Sequence, residues 1–374
     1  MTSTTRRPLR RRAAWSVPVV TAGLVAAAAV LPGSAFSSAA FGNGHTALQP
    51  RTPAELLAAV RTSSVRSVSG TVVETTRLGL PPLPGADRSA SLQWQSLVAG
   101  SHTARVWADG PGRQRLAMLG QLAESDVVRN GQDLWTYASD TTAVTHAVVP
   151  SDASKAMTAP ADIRGFTPQA AADKALQAID PTTAVSVRAD AVVAGRTTYT
   201  LRLAPRTAGS TIRQVLIAVD GATSVPLRVQ VYGAGSSPAF ETAFTDISFA
   251  RPAATVFAFV PPAGASVTTR SLLSRTQAGS SDKAAARLRA AAEPMASMMI
   301  GSGWTSIAAF RPGNSPRRDA STATMLDQLS TVQPNGDRLV RTPLVNALLT
   351  RDGRAFVGAV TPELLLRAAA GNAG

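Results

Sequence analysis

Over much of the chain, apolar and polar residues alternate with a period of two in short runs separated by Gly, Pro, Asn and Asp. That pattern predicts half-buried strands joined by turns. The first runs are Ser69–Thr75, Ser101–Ala108, Arg113–Leu119, a strand reaching Val128, and Ala143–Val149. Between the last two lies Arg129–Tyr137 (RNGQDLWTY), whose Asn130-Gly131 pair favours the positive backbone angles of a tight hairpin. Asp133, Trp135 and Tyr137 then alternate against Leu134 and Thr136, so a strand leaves the turn with two large aromatics on one face. Those rings either fill an ordinary core or line a surface that accepts an apolar guest.

Two helices interrupt the strands. Thr52 as N-cap, Pro53 at the first helical position and Glu55 at the third predict a helix through Leu56, Leu57 and Val60. Thr167-Pro168 opens a second helix, stopped by Asp180-Pro181, with Ala171, Ala175, Leu176 and Ile179 on one face. Strands resume at Ala184 through hairpins at Ala194-Gly195-Arg196 and Asp220-Gly221, the clearest being Val215–Tyr232. Phe240–Phe249 and Val256–Phe259 add alternating aromatic positions before Pro261-Pro262-Ala263-Gly264. Leu78–Arg88 is an apolar, proline-broken loop, and residues 150–166 are polar and broken.

Beyond residue 268 the character changes. A Ser-, Arg- and Ala-rich stretch precedes strand signals at Trp304–Phe310 and Leu339–Thr342, a helix at Ala323–Leu329, a turn at Arg351-Asp352-Gly353-Arg354 and a capped helix from Thr361. The expected organisation is therefore a segment 1–40, a linker 41–51, a body 52–268, a linker with a helical piece 269–297 and a small α+β region 298–374.

The N-terminus addresses the chain. Arg6, Arg7, Arg10, Arg11 and Arg12 precede an apolar run from Trp15 to Leu31, and the first acidic residue is Glu55. This reads as an export segment. As a helix the run extends about 25 Å, and small residues follow it at Ser34-Ala35 and Ser38-Ala39-Ala40. Cleavage there, or retention as an anchor with its basic end in the cytoplasm, both leave the body extracytoplasmic, in the envelope or secreted.

Composition narrows the chemistry. The 374 residues include no cysteine, which removes disulfides, thiolate metal sites and a lipidated N-terminal cysteine. The net charge of +14 is carried almost wholly by arginines scattered along strands without forming a stripe, so no nucleic-acid partner is expected. Only His45, His102 and His146 are present, Asp and Glu total 23, and Asp109, Asp220 and Asp352 each precede a turn glycine. No G-x-S-x-G, phosphate loop, H-E-x-x-H or dinucleotide fingerprint occurs. The expectation is a non-enzymatic protein with no catalytic residue, metal or cofactor.

The order of elements resembles the LolA-type lipoprotein carriers and their relative RseB. The matching pieces are the helix Thr52–Val60, the strand start Ser69-Gly70, the hairpin Arg129–Tyr137, the Asp220–Arg228 hairpin with Val225-Pro226-Leu227-Arg228, and Phe257-Ala258-Phe259-Val260-Pro261-Pro262-Ala263-Gly264. The resemblance implies an α+β fold with a strongly curved antiparallel half-barrel, an apolar concave face and lid helices. It further implies acyl chains of a lipid or lipoprotein as ligand, or a membrane signalling partner such as an anti-sigma factor. Trp107, Leu116, Met118, Trp135 and Tyr137 are the candidate cavity residues, because aromatic and Met side chains offer adaptable apolar area. A one-residue slip of register reverses the face of each. The C-terminal region and a retained anchor both depart from a shuttling carrier.

Overall fold

The computed structural model describes residues 48–80, 100–120, 123–149, 167–271, 298–311 and 327–371, all within one compact unit, Thr46–Gly374. The expected export segment, residues 81–88 of the apolar loop, residues 150–166, most of both linkers and residues 323–326 of the helix expected at 323–329 lie outside the described residues.

Helix α1 (Pro53–Arg61) starts as its sequence requires: the Thr52 amide donates to the Glu55 carboxylate at 2.8 Å, and the Glu55 amide donates back to Thr52 Oγ1 at 3.3 Å. Six strands follow: β1 (Ser67–Thr76), β2 (Gly100–Asp109), β3 (Arg113–Leu119), β4 (Glu124–Asn130), β5 (Asp133–Ala138) and β6 (Ala143–Val148). Each pairs antiparallel with the next. Helix α2 (Pro168–Gln177) leads into β7 (Thr183–Val193), β8 (Arg196–Pro205), β9 (Gln214–Asp220), β10 (Pro226–Tyr232) and β11 (Phe240–Ser248).

Pairing of β11 with β1 joins the two meanders. The junction carries an irregularity between Thr71 and Val72, and a side chain at Gly70 would run into the Asp246 carbonyl, so glycine is required where the two backbones close in.

The chain then leaves β11, crosses one face of the first meander and emerges as β12 (Ser266–Ser271), which pairs parallel with β6. The result is a 12-stranded sheet in the order β12-β6-β5-β4-β3-β2-β1-β11-β10-β9-β8-β7.

This corrects the expected fold class. The sheet is open and mixed: β7 and β12 are two separate ends, no half-barrel forms, and the last strand runs parallel to its neighbour. Period-two alternation specifies which residues share a face but says nothing about whether a sheet curls. A second correction concerns Val256–Phe259, which is not a strand: Ala254–Phe257 forms a turn of 3₁₀ helix. Pro252 before it and Pro261-Pro262 after it lack the amide donors that a paired strand needs.

Asp220, fully buried at the end of β9, closes the β9–β10 turn. Burial works to raise its carboxyl, but bonds from Arg196 (2.6 and 3.0 Å) and from the Thr223 amide and hydroxyl (2.7 and 2.6 Å) outweigh that and hold it below the usual range. The structural reading of this Asp-Gly pair is therefore complete without a ligand.

The C-terminal region contains a six-stranded sheet, running in the order β13 (Met298–Ile300), β14 (Ile307–Phe310), β18 (Ala355–Gly358), β17 (Asn346–Leu349), β16 (Arg338–Val340) and β15 (Ser330–Val332). Helix α3 (Pro362–Gly371) packs Leu365 and Ala369 on it with Ile307, Leu339, Leu348 and Phe356. The loop between β8 and β9 ties this sheet to the larger one: Ser210 Oγ donates to the Ala359 carbonyl at 3.0 Å, and the Thr211 amide does so at 3.0 Å.

Candidate functional site

Strand register divides the large sheet into two faces. On one, Val72, Ala104, Met118 and Ser125 lie in one row across β1–β4, and Val106, Leu116, Val127 and Thr136 in another. On the other, Trp107, Arg115, Val128, Trp135 and His146 form one row, with Arg105, Ala117, Asp126, Tyr137 and Val144 beside it. The five candidate residues are thus not brought together. Leu116 and Met118 are buried in the core on the first face, while Trp107, Trp135 and Tyr137 are half-buried on the second.

The second face is covered by the crossover segment. Arg251 bonds Asp109 at the end of β2 (2.9 Å), and Arg115 on β3 donates to the Val256 carbonyl (3.3 Å) while gripping Asp126. Phe257 is fully buried. Phe259 sits 5.4 Å from the Trp135 ring and 6.2 Å from that of Tyr137, and Trp135 stacks on His146 at 4.0 Å. Arg105 and Arg115 flank Trp107 at 5.2 and 5.6 Å, within cation–π range. The aromatics beyond the Asn130-Gly131 turn therefore have the chain's own phenylalanine as their partner.

The first face is the one the helices cover. Leu56 and Val60 of α1 and Ala172 and Leu176 of α2 pack on Leu201, Leu203, Val215, Ile217 and Val229. Thr167 Oγ1 accepts from the Ala170 amide at 3.3 Å, and Pro168 stands at the helix start, so α2 begins where it must to lie on β10 and β11. The helix does not fill the space beside it. One cavity of about 720 Å³ lies at its C-terminal half, between Ala171, Ala175 and Ala178, the sheet residues Val229, Val231 and Phe240, and Trp304 of the C-terminal region. A second of about 600 Å³ lies at its N-terminal half, bounded by Ala170, Val60 and Val65 and by Val68, Val106, Phe244 and the candidate residue Trp107 on the sheet. Small alanines on α2 are what leave both spaces open. Trp304 closes the first by donating its indole N–H to Thr183 Oγ1 at 2.8 Å.

Between the cavities the floor turns polar. Along β11, Phe240 borders one cavity and Phe244 the other, and buried Thr242 stands between them. Its register partner on β1 is Glu74, which is 3% exposed on the same face as Val72 and Thr76. Burial pushes the Glu74 carboxyl up to about 7, opposed only by the Lys174 ammonium on α2. Thr76 Oγ1 is buried with no hydrogen-bond partner. Sequence reasoning passed over this pair, although a signal was present: Glu74 occupies an alternate position in step with Val72, which puts a carboxyl on the apolar face.

No catalytic constellation accompanies it among the described residues. Among the described residues no group of three or more His, Asp or Glu is placed to hold a metal ion, and the chain has no cysteine. No described helix is long and apolar enough to cross a membrane.

No protein-family model matches the chain, and no curated protein is significantly similar to it. Its structure is similar to a number of solved structures. The complex of MucA and MucB from Pseudomonas aeruginosa aligns with 84% of this chain and 94% of its own, at 18% identity and a TM-score of 0.38. A structure of MucB alone aligns with 85% and 96%, at 16% identity and a TM-score of 0.38. A LolA superfamily protein from Nitrosomonas europaea aligns with 56% and 99%, at 12% identity and a TM-score of 0.22. Likeness at this level carries no functional argument, so the reading below rests on the chain's own residues.

Proposed function

We propose that this is an extracytoplasmic, non-enzymatic binding protein that holds acyl chains of a lipid or lipoprotein in the apolar spaces flanking α2. The observation that carries the proposal is the pair of cavities left by the alanine face of α2 on an aliphatic sheet. Both volumes fall in the range of about 300–1,000 Å³ usual for small-ligand sites, and such sites are mostly apolar with a few placed polar groups. Burial supplies the driving force: at about 0.8 kcal/mol per methylene, ten methylenes contribute about 8 kcal/mol before ordering costs. The ligand sits in the spaces beside α2; of the five residues proposed for it, Trp107 borders the smaller cavity, while Leu116 and Met118 are core residues of the helix-covered face and line neither space.

Filling each cavity from α2 tests the reading. Ala175→Trp occupies the larger space and Ala170→Trp the smaller. In a titration with a fluorescent fatty acid, at least one of the two variants is expected to lose binding by about tenfold or more while melting cooperatively. Undiminished binding in both would contradict the placement.

A partner-binding reading has its own observation. Met298 and Met299 on β13, the edge strand of the C-terminal sheet, are 51% and 61% exposed, and an open apolar edge accepts a further strand. A membrane-linked regulatory protein fits there without competing for the cavities.

A further inference from the structure

We propose that Glu74 and Thr76 form the polar station of one continuous ligand site running beneath α2, and that this station selects an amide, so that the preferred ligand is an N-acylated amine or peptide and not an ester of the same chain. The inference rests on the acyl-binding reading and names the ligand's polar group.

The argument begins with position. Glu74 and Thr242 are register partners at the centre of the covered face, while the residues two places along β11 in either direction, Phe240 and Phe244, border the two cavities. Glu74 and Thr76 themselves line neither cavity, so a ligand that spans both apolar spaces passes over the Glu74 region between them. Lys174, which faces Glu74 from α2, borders the larger cavity.

Hydrogen-bonding capacity comes next. The Glu74 side chain is 3% exposed, and Thr76 Oγ1 on the same face, in a residue 7% exposed, is buried with no hydrogen-bond partner. Buried polar groups left unpaired are costly, and sites of this kind are where a ligand completes the set. Among the described residues, the charged or titratable groups facing Glu74 are Lys174 from α2 and His102, its register partner on β2, and β11 places Thr242 opposite it between Phe240 and Phe244.

Chemical complementarity selects among ligands. A carboxyl buried here keeps its proton up to about pH 7, and a protonated carboxyl presents one donor and one acceptor side by side. An amide presents the same pair reversed, its C=O accepting and its N–H donating. The Thr76 hydroxyl has a further donor for the second lone pair of that carbonyl. An ester offers an acceptor alone and leaves the carboxyl acceptor unmet.

The test compares N-methyldodecanamide with methyl dodecanoate, which have the same acyl chain and no other polar group, each displacing a fluorescent fatty acid from the full-length protein at pH 6. The expected result is that the N-acyl amide binds about tenfold or more tightly than the ester, and that the preference falls to near unity in Glu74→Leu and shrinks in Thr76→Val, while displacement by plain dodecanoate changes little. Equal affinity of amide and ester in the unaltered protein overturns the station and leaves the acyl reading standing. A preference that survives both substitutions also overturns it. Failure of all three probes, with the fatty acid itself unbound, overturns the acyl reading instead. If Glu74→Leu does not fold, Thr76→Val and the unaltered protein decide the matter.

Discussion

Phe257→Ala is expected to destabilise the protein by about 3–5 kcal/mol, the usual cost of emptying a fully buried aromatic site. Phe257 is 1% exposed and lies on the segment that crosses from β11 to β12 over β3 and β4. Its neighbours in that segment are held by Arg115 bonded to the Val256 carbonyl and by Phe259 against Trp135 and Tyr137. With Phe257 gone, Pro252 and Pro261-Pro262 prevent the segment from pairing as a strand instead, so the covering cannot be rebuilt by hydrogen bonds. Urea unfolding measures the loss, and tryptophan emission should shift red as Trp135 gains water. A change below about 1 kcal/mol would mean that the crossover does not seal this face.

The second large effect is a gain. Glu74 has a folded-state pKa of about 7 against an ordinary value of 4.5. Because the folded chain holds the proton more tightly than the unfolded one, the contribution of this group to stability is fully present below about 4.5 and is lost as pH rises toward and through about 7. The difference corresponds to about 3 kcal/mol. Glu74→Gln keeps the shape without the charge, so it is expected to stabilise the protein by up to about 3 kcal/mol at pH 8 and by little at pH 4. Thermal unfolding of both proteins across that range measures it. An equal effect at both pH values would show that Glu74 is not ionising in a buried setting.

Much of the fold can be read from the sequence because its signals are local. The Thr52/Glu55 capping box, the Thr167-Pro168 helix start and the Asn130-Gly131 turn each act within four residues, and the structure has all three. The parallel pairing of β12 with β6 is different. Ser266–Ser271 is short and largely polar, and its partner lies more than a hundred residues earlier, so nothing local announces it. The openness of the sheet is illegible for the same reason, since closure depends on what the last strand pairs with.

The candidate site was only partly legible. The aromatics Trp135 and Tyr137 are conspicuous in sequence, yet their apolar faces meet Phe259 from the crossover. The cavities arise from what is missing, the small Ala170, Ala171, Ala175 and Ala178 on α2, and in a chain so rich in alanine such residues carry no signal. Glu74 was detectable as a carboxyl in step with Val72, but the degree of its burial, and the unpaired Thr76 hydroxyl on the same face, are properties of three dimensions alone.

Native mass spectrometry of the protein produced in a bacterial host and purified from its envelope fraction, followed by organic extraction, asks directly whether the spaces beside α2 carry a ligand. A mass excess that extracts as an acylated compound, and that is reduced in Ala175→Trp or Ala170→Trp, is the predicted result. A folded protein of bare polypeptide mass that also fails to take up an added fatty acid would contradict it.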